Sequence, residues 1–309
     1  MSHEKITVVG SIALDDIETP QGKVQNVLGG SATYFSTVAS LFTKIELVGV
    51  VGKDFPEEHK NFLASRGIGL DGLEKTDGRT FHWYGRYTDD LNSAQTLKVE
   101  LNVFETFKPK IPKSAQSSPI VFLANIDPDL QSDVLNQVQS PRLTFCDTMN
   151  HWIIDKTNSL KKLLSKVDGI ILNDGEARLL SQDKNLIRAA EIIGHMGPKI
   201  VVIKKGEHGA QLWVDGEIAF VPPMPIRDVF DPTGAGDTFA GGFLGKIAEL
   251  KGNSFEDYRE ALYYGTAVAS FTIEAFSLDR LKTLTRQEVE QRVDKLHSIS
   301  HLKKLAPLN

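Results

Sequence analysis

Short runs of nearly unbroken apolar residues recur along the chain, many of them β-branched: ITVVG (6–10), IELVGVVG (45–52), IVFLAN (120–125), LTFCD (143–147), GIILND (169–174) and IVVIKKG (200–206). A strand that is apolar at every position is covered on both faces, as in a parallel sheet between helices. Helical periodicity fills the gaps, at 31–42, 57–67, 129–138, 176–181 and 186–197. The alternation predicts an α/β fold with a Rossmann-like, mainly parallel central sheet flanked by helices. From residue 238 onward the pattern is helical, over 238–250, 255–276 and 285–299.

Two stretches break this rhythm. Residues 80–107 alternate with period two, placing Phe81, Trp83 and Tyr87 on one face. Such strands are covered on one side only. Residues 12–28 are short, polar and extended in character. The two stretches are read together as a small β-sheet lid, whose aromatic face needs a cover: substrate, partner subunit or main domain. An ordinary β-meander on the core is the plainer alternative. One domain over 1–309 carries this lid.

The 309 residues are 41% hydrophobic, enough for a sizeable core, and the net charge is −5. With no long basic run, nucleic acid is not expected as a partner, and the lysines at 303–304 are read as a solvated tail. The single cysteine, Cys146, excludes a disulfide framework and is read as a small buried hydrophobe. No apolar run is long enough to cross a membrane, and the chain is read as cytoplasmic. The eight histidines are scattered, with no metal-binding spacing, and His82 is expected to be an exposed strand residue.

The densest chemistry lies in DVFDPTGAGDTF (228–239). Gly234 and Gly236 allow close approach of a ligand to the backbone, and a helical pattern follows at once. Free amides at a helix start form an anion site. A carboxylate there, Asp237, serves as a helix cap or as a reactive base. If a phosphoryl group sits on the Gly234, Ala235 and Gly236 amides, Asp237 is placed to take a proton from an alcohol attacking it. The dinucleotide fingerprint fails at Phe239, and the P-loop pattern is absent.

DPTGAGD resembles the C-terminal signature of the ribokinase-like (PfkB) carbohydrate kinases, and the resemblance extends over nearly the whole chain. VVGSIALD (8–15) is similar to the family's opening, which places Asp15 at substrate hydroxyls, with Asp16 as its rival. LGGSATYFSTVASLF (28–42), with Gly29 and Gly30, resembles the Gly-Gly region near the substrate. Asn173 and Glu176 match an Asn-x-x-Glu motif that organises Mg2+ and phosphate largely through water; an ordinary strand-end turn and first-turn glutamate are the alternatives. KKGEHGA (204–210), with Lys204, Gly206 and Gly209, resembles the nucleotide-binding loop.

The resemblance implies an ATP-dependent kinase of a small-molecule alcohol, with Asp237 as general base. It also implies a homodimer through the β-lid and a K+ site at Asp231 and Thr233. Tyr34 stands where the family usually carries asparagine, which makes ribose itself a poor guess. SFTIEAFSL (270–278) lacks a frequent Gly-Ala turn. Asn125, at a strand tip, is a further substrate-binding candidate; Asn150 is weighed beside it. The acceptor is expected to be a sugar or related polyol. A nucleoside stacking on Tyr34, Trp83 or Tyr84 is the alternative, and a non-catalytic sugar sensor the second.

Overall fold

The computed structural model describes residues 4–300, so His3, His301 and the lysines at 303–304 lie outside the described residues. Thirteen strands form two sheets. In chain order they are β1 (Ile6–Val9), β2 (Ala13–Thr19), β3 (Gly22–Gly29), β4 (Ile45–Val51), β5 (Gly69–Lys75), β6 (Phe81–Tyr87), β7 (Ala94–Glu100), β8 (Ile120–Leu123), β9 (Leu143–Asp147), β10 (Gly169–Asn173), β11 (Ile200–Lys204), β12 (Ala210–Val214) and β13 (Glu217–Val221).

The large sheet has nine strands in the order β13-β12-β11-β10-β9-β8-β1-β4-β5. Its run from β5 to β11 is parallel throughout, and β12 and β13 add an antiparallel hairpin at one edge. The six expected strands all appear in it. The sequence reading missed β5, β12 and β13.

Successive strand residues feed opposite faces. Val202 joins a core layer with Tyr34, Phe239 and Phe243 from the helices Ser31–Ala39 and Ala235–Leu250. Val201 and Ile203 join the other layer, with Leu160, Ala177 and Ile193 from three helices on the opposite side. Helix starts follow local chemistry. Asn173 and Glu176 form a reciprocal capping box, as do Ser254 and Asp257, and Asp127 caps a helix with Pro128 in its first turn.

The small sheet is ordered β3-β2-β6-β7: two antiparallel hairpins joined by a parallel β2–β6 pair. The expected alternation ends at Glu100, because residues Asn102–Thr106 form a 3-10 turn. His82 corrects the sequence reading. It is buried, its Nε2 lies 2.9 Å from Asp16 Oδ1, and its ring stacks on Tyr84 at 4.3 Å. Cys146 is buried on β9, where burial pushes its thiol pKa up. No helix among the described residues is long and apolar enough to cross a membrane.

Candidate active site

Parallel registers bring three chemically distinct residues to one edge of the large sheet. Asn173 on β10 pairs with Lys204 on β11, and Ile171 on β10 pairs with Asp147 on β9. Asp147 and Lys204 therefore close two strands that flank β10. The Lys204 Nζ crosses to within 3.5 Å of Asp147 Oδ2. Ligands of open α/β sheets meet the protein at such carboxyl ends.

The helix Ala235–Leu250 starts opposite these strand ends, with Gly234 in the left-handed region at φ 74°. A side chain at Gly234 would run into the Tyr34 ring, and a β-carbon on Gly236 would stand 2.8 Å from Lys204 Nζ. Gly234 is thus required by its backbone and by the Tyr34 ring, while Gly236 leaves room for the end of the Lys204 side chain. The Ala235 N–H turns back to the Pro232 carbonyl at 3.2 Å. Ala235, expected among the anion-binding donors, is engaged in that turn. The Gly236 and Asp237 N–H groups, in the first turn, have no intrahelical acceptor.

Asp237 is half-buried in this first turn. Burial, reinforced by the Asp147 charge and opposed by Lys204, raises its pKa to about 7. Glu176 is buried and likewise pushed to about 7, by burial first and then by Asp147, with Lys204 opposing. Its Oε2 accepts the Asn173 N–H at 2.7 Å, while Asn173 Oδ1 accepts the Glu176 N–H at 2.8 Å. Capping therefore engages the pair but leaves buried negative charge between Glu176 and Asp147. Among the described residues no group of three or more His, Cys, Asp or Glu side chains could cage a metal. A divalent ion here would rely on water and phosphate, as magnesium commonly does.

The small sheet supplies the other wall. Asp15 is buried on β2, and its carboxylate fills the space where a side chain at Gly29 would stand. Gly30, at φ 96°, carries the chain tight against Ser11–Ala13. Burial, with Asp231, Asp237 and Asp16 adding like charge, raises the Asp15 pKa well above its ordinary value. Asp16 points away from Asp15, as neighbouring strand residues do. It accepts the Asn26 N–H at 2.9 Å, contacts His82, and its pKa is lowered. Trp83 is paired in register with Asp15. Its indole lies flat over Gly85, and its Nε1 donates to Thr96 Oγ1 at 3.1 Å.

The small sheet and the main domain meet at several points, among them Ser277, whose Oγ donates to the Leu28 carbonyl at 2.6 Å. Thr233 Oγ1 donates to Tyr87 OH at 3.2 Å, and a β-carbon on Gly206 (φ 52°) would stand 2.9 Å from Asn92 Oδ1 at the hairpin tip. Gly209, at φ 82°, is pressed against the Val221 carbonyl. Asp231 is fully buried and accepts the Thr233 N–H at 2.9 Å and the Ser277 N–H at 2.8 Å. Asn125 Oδ1 accepts from the Trp152 indole at 2.9 Å, and Asn150 is exposed. Tyr34 is buried against Gly234, so its ring is not open for stacking. The sequence reading missed Asp147 and the Tyr87–Thr233 contact. Asp147 carried a usable signal, being the first polar residue after the apolar run of β9. Two clefts elsewhere, of about 500 and 440 Å3, are lined by none of these candidate residues.

A sheet edge, a helix start and a carboxylate disposed in this way define a phosphotransferase that acts on a hydroxyl. Residues 3–283 match the model of the pfkB family carbohydrate kinases, and the chain belongs to that family. A cytidine kinase of Thermococcus kodakarensis is 31% identical over 245 residues, covering 77% of this chain and 87% of that protein. An inositol 3-kinase of Arabidopsis thaliana is 24% identical over 309 residues, covering 95% and 80%. Among solved structures, the nucleoside kinase of Methanocaldococcus jannaschii, an archaeal member of the ribokinase family, has a TM-score of 0.74 at 22% identity and covers 96% of this chain and 100% of that one. An E. coli protein named as a ribokinase II, in complex with ATP and Mg2+, has a TM-score of 0.78 at 18% identity, covering 94% and 99%. These structures support the ribokinase-like fold, including the separate small sheet.

Proposed function

We propose that this kinase transfers the γ-phosphoryl group of ATP to a hydroxyl of a nucleoside. The carrying observation is Trp83: a half-exposed indole laid flat on the lid beside Asp15, offering a face for a base and an acid for ribose hydroxyls. Likeness to a cytidine kinase and a nucleoside kinase supports the same substrate class. A sugar or related polyol is the second reading, since Asp15 alone serves any vicinal hydroxyls and an inositol kinase is also similar.

In this reading Asp237 takes the proton of the acceptor hydroxyl as its oxygen attacks phosphorus, and ADP leaves with the electrons of the broken P–O bond. The Gly236 and Asp237 amides donate to the phosphoryl oxygens. Asn173 and Glu176 would hold magnesium through water; bound there, the ion offsets phosphate charge. Gly206 and Gly209 shape the nucleotide loop, and Asn125 keeps its amide N–H2 available to substrate. Asp231 has no lysine or arginine partner among the described residues, so K+ beside it and Thr233 would relieve a buried charge. Turnover is then expected to fall when choline replaces potassium.

The reading also treats 1–309 as one cytoplasmic kinase domain, with the small sheet as lid. The exposed Leu97 and Val99 of edge strand β7 support dimerisation through it.

The test is ADP release with Mg-ATP across nucleosides, sugars, polyols and inositols, with Asp237→Asn as control. Turnover of nucleosides, with a KM raised about tenfold or more in Trp83→Ala, is the expected result. Turnover of sugars alone moves the assignment to the second reading. Binding without turnover anywhere would leave a sensor.

A further inference from the structure

Lys204 opens the stretch 204–210 that resembles the nucleotide-binding loop, but the structure ends β11 on it and turns its side chain elsewhere. Its Nζ lies against Gly236 on one side and 3.5 Å from Asp147 Oδ2 on the other. Both side chains are largely buried, at 16% and 6% exposure.

A buried pair that serves only structure closes tightly and satisfies its remaining donors. The half-buried Arg142 already behaves that way: its Nε donates to Glu4 at 3.1 Å and its Nη1 to the Gly252 carbonyl at 3.0 Å. Lys204 does not. An ammonium has three donors, and its contact with Asp147 is a single long one. Three carboxylates, those of Asp147, Glu176 and Asp237, keep it charged against the cost of burial. A cation held in this way, beside helix-start amides, is arranged to meet an anion.

We propose that Lys204 is a catalytic residue that grips the transferred phosphoryl group against the Gly236 and Asp237 amides, and that Asp147 is the positioning residue that aims its ammonium. The inference rests on the proposed anion site at 234–237 and deepens it. No bond to Lys204 forms or breaks. Its N–H donors shift from Asp147 toward the phosphoryl oxygens as these collect charge, and the acceptor's proton still goes to Asp237.

Binding of Mg-ATP and Mg-ADP to the full chain tests this without any acceptor. Lys204→Met is expected to weaken ATP binding by about tenfold or more and ADP binding by less than about threefold, since only ATP carries the group Lys204 would hold. With the acceptor that turns over in the panel, cytidine first, Lys204→Met should lower kcat by about a hundredfold. Acceptor KM should stay within about threefold of wild type. Lys204→Arg should restore part of the rate.

The pH profile gives a readout that a structural role would not move. Lys204 lowers the Asp237 pKa and Asp147 raises it, while Asp15 lies on the lid side unchanged. The acidic limb should therefore move to higher pH in Lys204→Met and to lower pH in Asp147→Asn. Should Lys204→Met fail to fold, Lys204→Arg and Asp147→Asn carry the test through that limb and the ATP-to-ADP ratio. Equal losses of ATP and ADP affinity, kcat within about fivefold of wild type, or an unmoved limb would each overturn the role. Asp237→Asn separates the two levels. Lost turnover with ATP-over-ADP preference intact keeps the site reading whatever Lys204 shows; retained turnover overturns the site reading and the Lys204 role with it.

Discussion

Both sheets bring carboxylates to the same cleft, yet they treat negative charge in opposite ways. At the large-sheet edge, Asp147, Glu176 and Asp237 surround one ammonium, Lys204, which offsets part of their charge. On the small sheet, the offsetting groups lie on the face away from Asp15. Asp16 has His82 and the Asn26 amide, whereas Asp15, one residue earlier, meets only like charges. A cluster that pairs one cation with an excess of carboxylates is suited to receiving phosphate and metal together. An unbalanced acid is suited to a neutral ligand whose hydroxyls donate to it.

The largest expected effect breaks the large-sheet side. Asp237→Asn keeps the shape and removes the proton acceptor, and kcat should fall by about a thousandfold. Steady-state kinetics on a variant with a wild-type melting curve at pH 6 check it; near-native turnover would sink the base assignment. The same group sets the pH dependence. With a pKa raised to about 7, Asp237 loses its basic form as pH falls below neutrality, so kcat/KM should drop about tenfold per unit there.

How much of this could be read from the chain differs between the two regions for a physical reason. The six inner strands are legible because burial on both faces demands unbroken apolar runs. In the small sheet, β6 and β7 are legible from their period of two, and β2 and β3 from a short polar, extended stretch. Edge strand β5, GLDGLEK, carries two glycines and three charges and shows no apolar run, yet pairing with β4 orders it. The β12–β13 hairpin around Asp215–Gly216 carried a legible turn signal that the sequence reading did not use. The Asp237 motif was plain because its spacing is local. Lys204 was read with the nucleotide loop, but Asp147 and its pairing with Lys204 were not legible, because strand registers bring together residues 57 positions apart. The engagement of the Ala235 N–H was also not legible, since it depends on the tight turn back to the Pro232 carbonyl.

The next effect sharpens the lid side. Asp15→Asn should raise acceptor KM by about 10- to 100-fold, the loss of charge-assisted hydrogen bonds, with a smaller change in kcat. It should also raise the melting temperature of the ligand-free protein at pH 8. The sign follows from its raised pKa: ionisation of Asp15 opposes folding, so stability falls as pH rises above the unfolded value of about 4. Removing the charge removes that loss. A variant that binds its acceptor worse while melting higher marks a residue kept for function at the expense of stability.

The smallest effect is the control that makes this comparison strict. Asp16→Asn changes the neighbouring residue by the same atoms, but on the face held by His82, Gln25 and the Asn26 amide. Acceptor KM and kcat should stay within about twofold of wild type, while stability at pH 8 falls by roughly 1 kcal/mol, because bonds to a charged acceptor become bonds to a neutral one. The pH signature is the reverse of Asp15's. With its pKa lowered, Asp16 stabilises the fold above the unfolded value of about 4 and ceases to do so as pH falls through the lower folded one. Paired melting curves of the two variants from pH 3 to pH 8 should therefore diverge in opposite directions at the alkaline end. If both melt lower, or if Asp16→Asn is the one that loses acceptor binding, the two acids have been assigned to the wrong faces of β2, and the hydroxyl-binding role passes from Asp15 to Asp16.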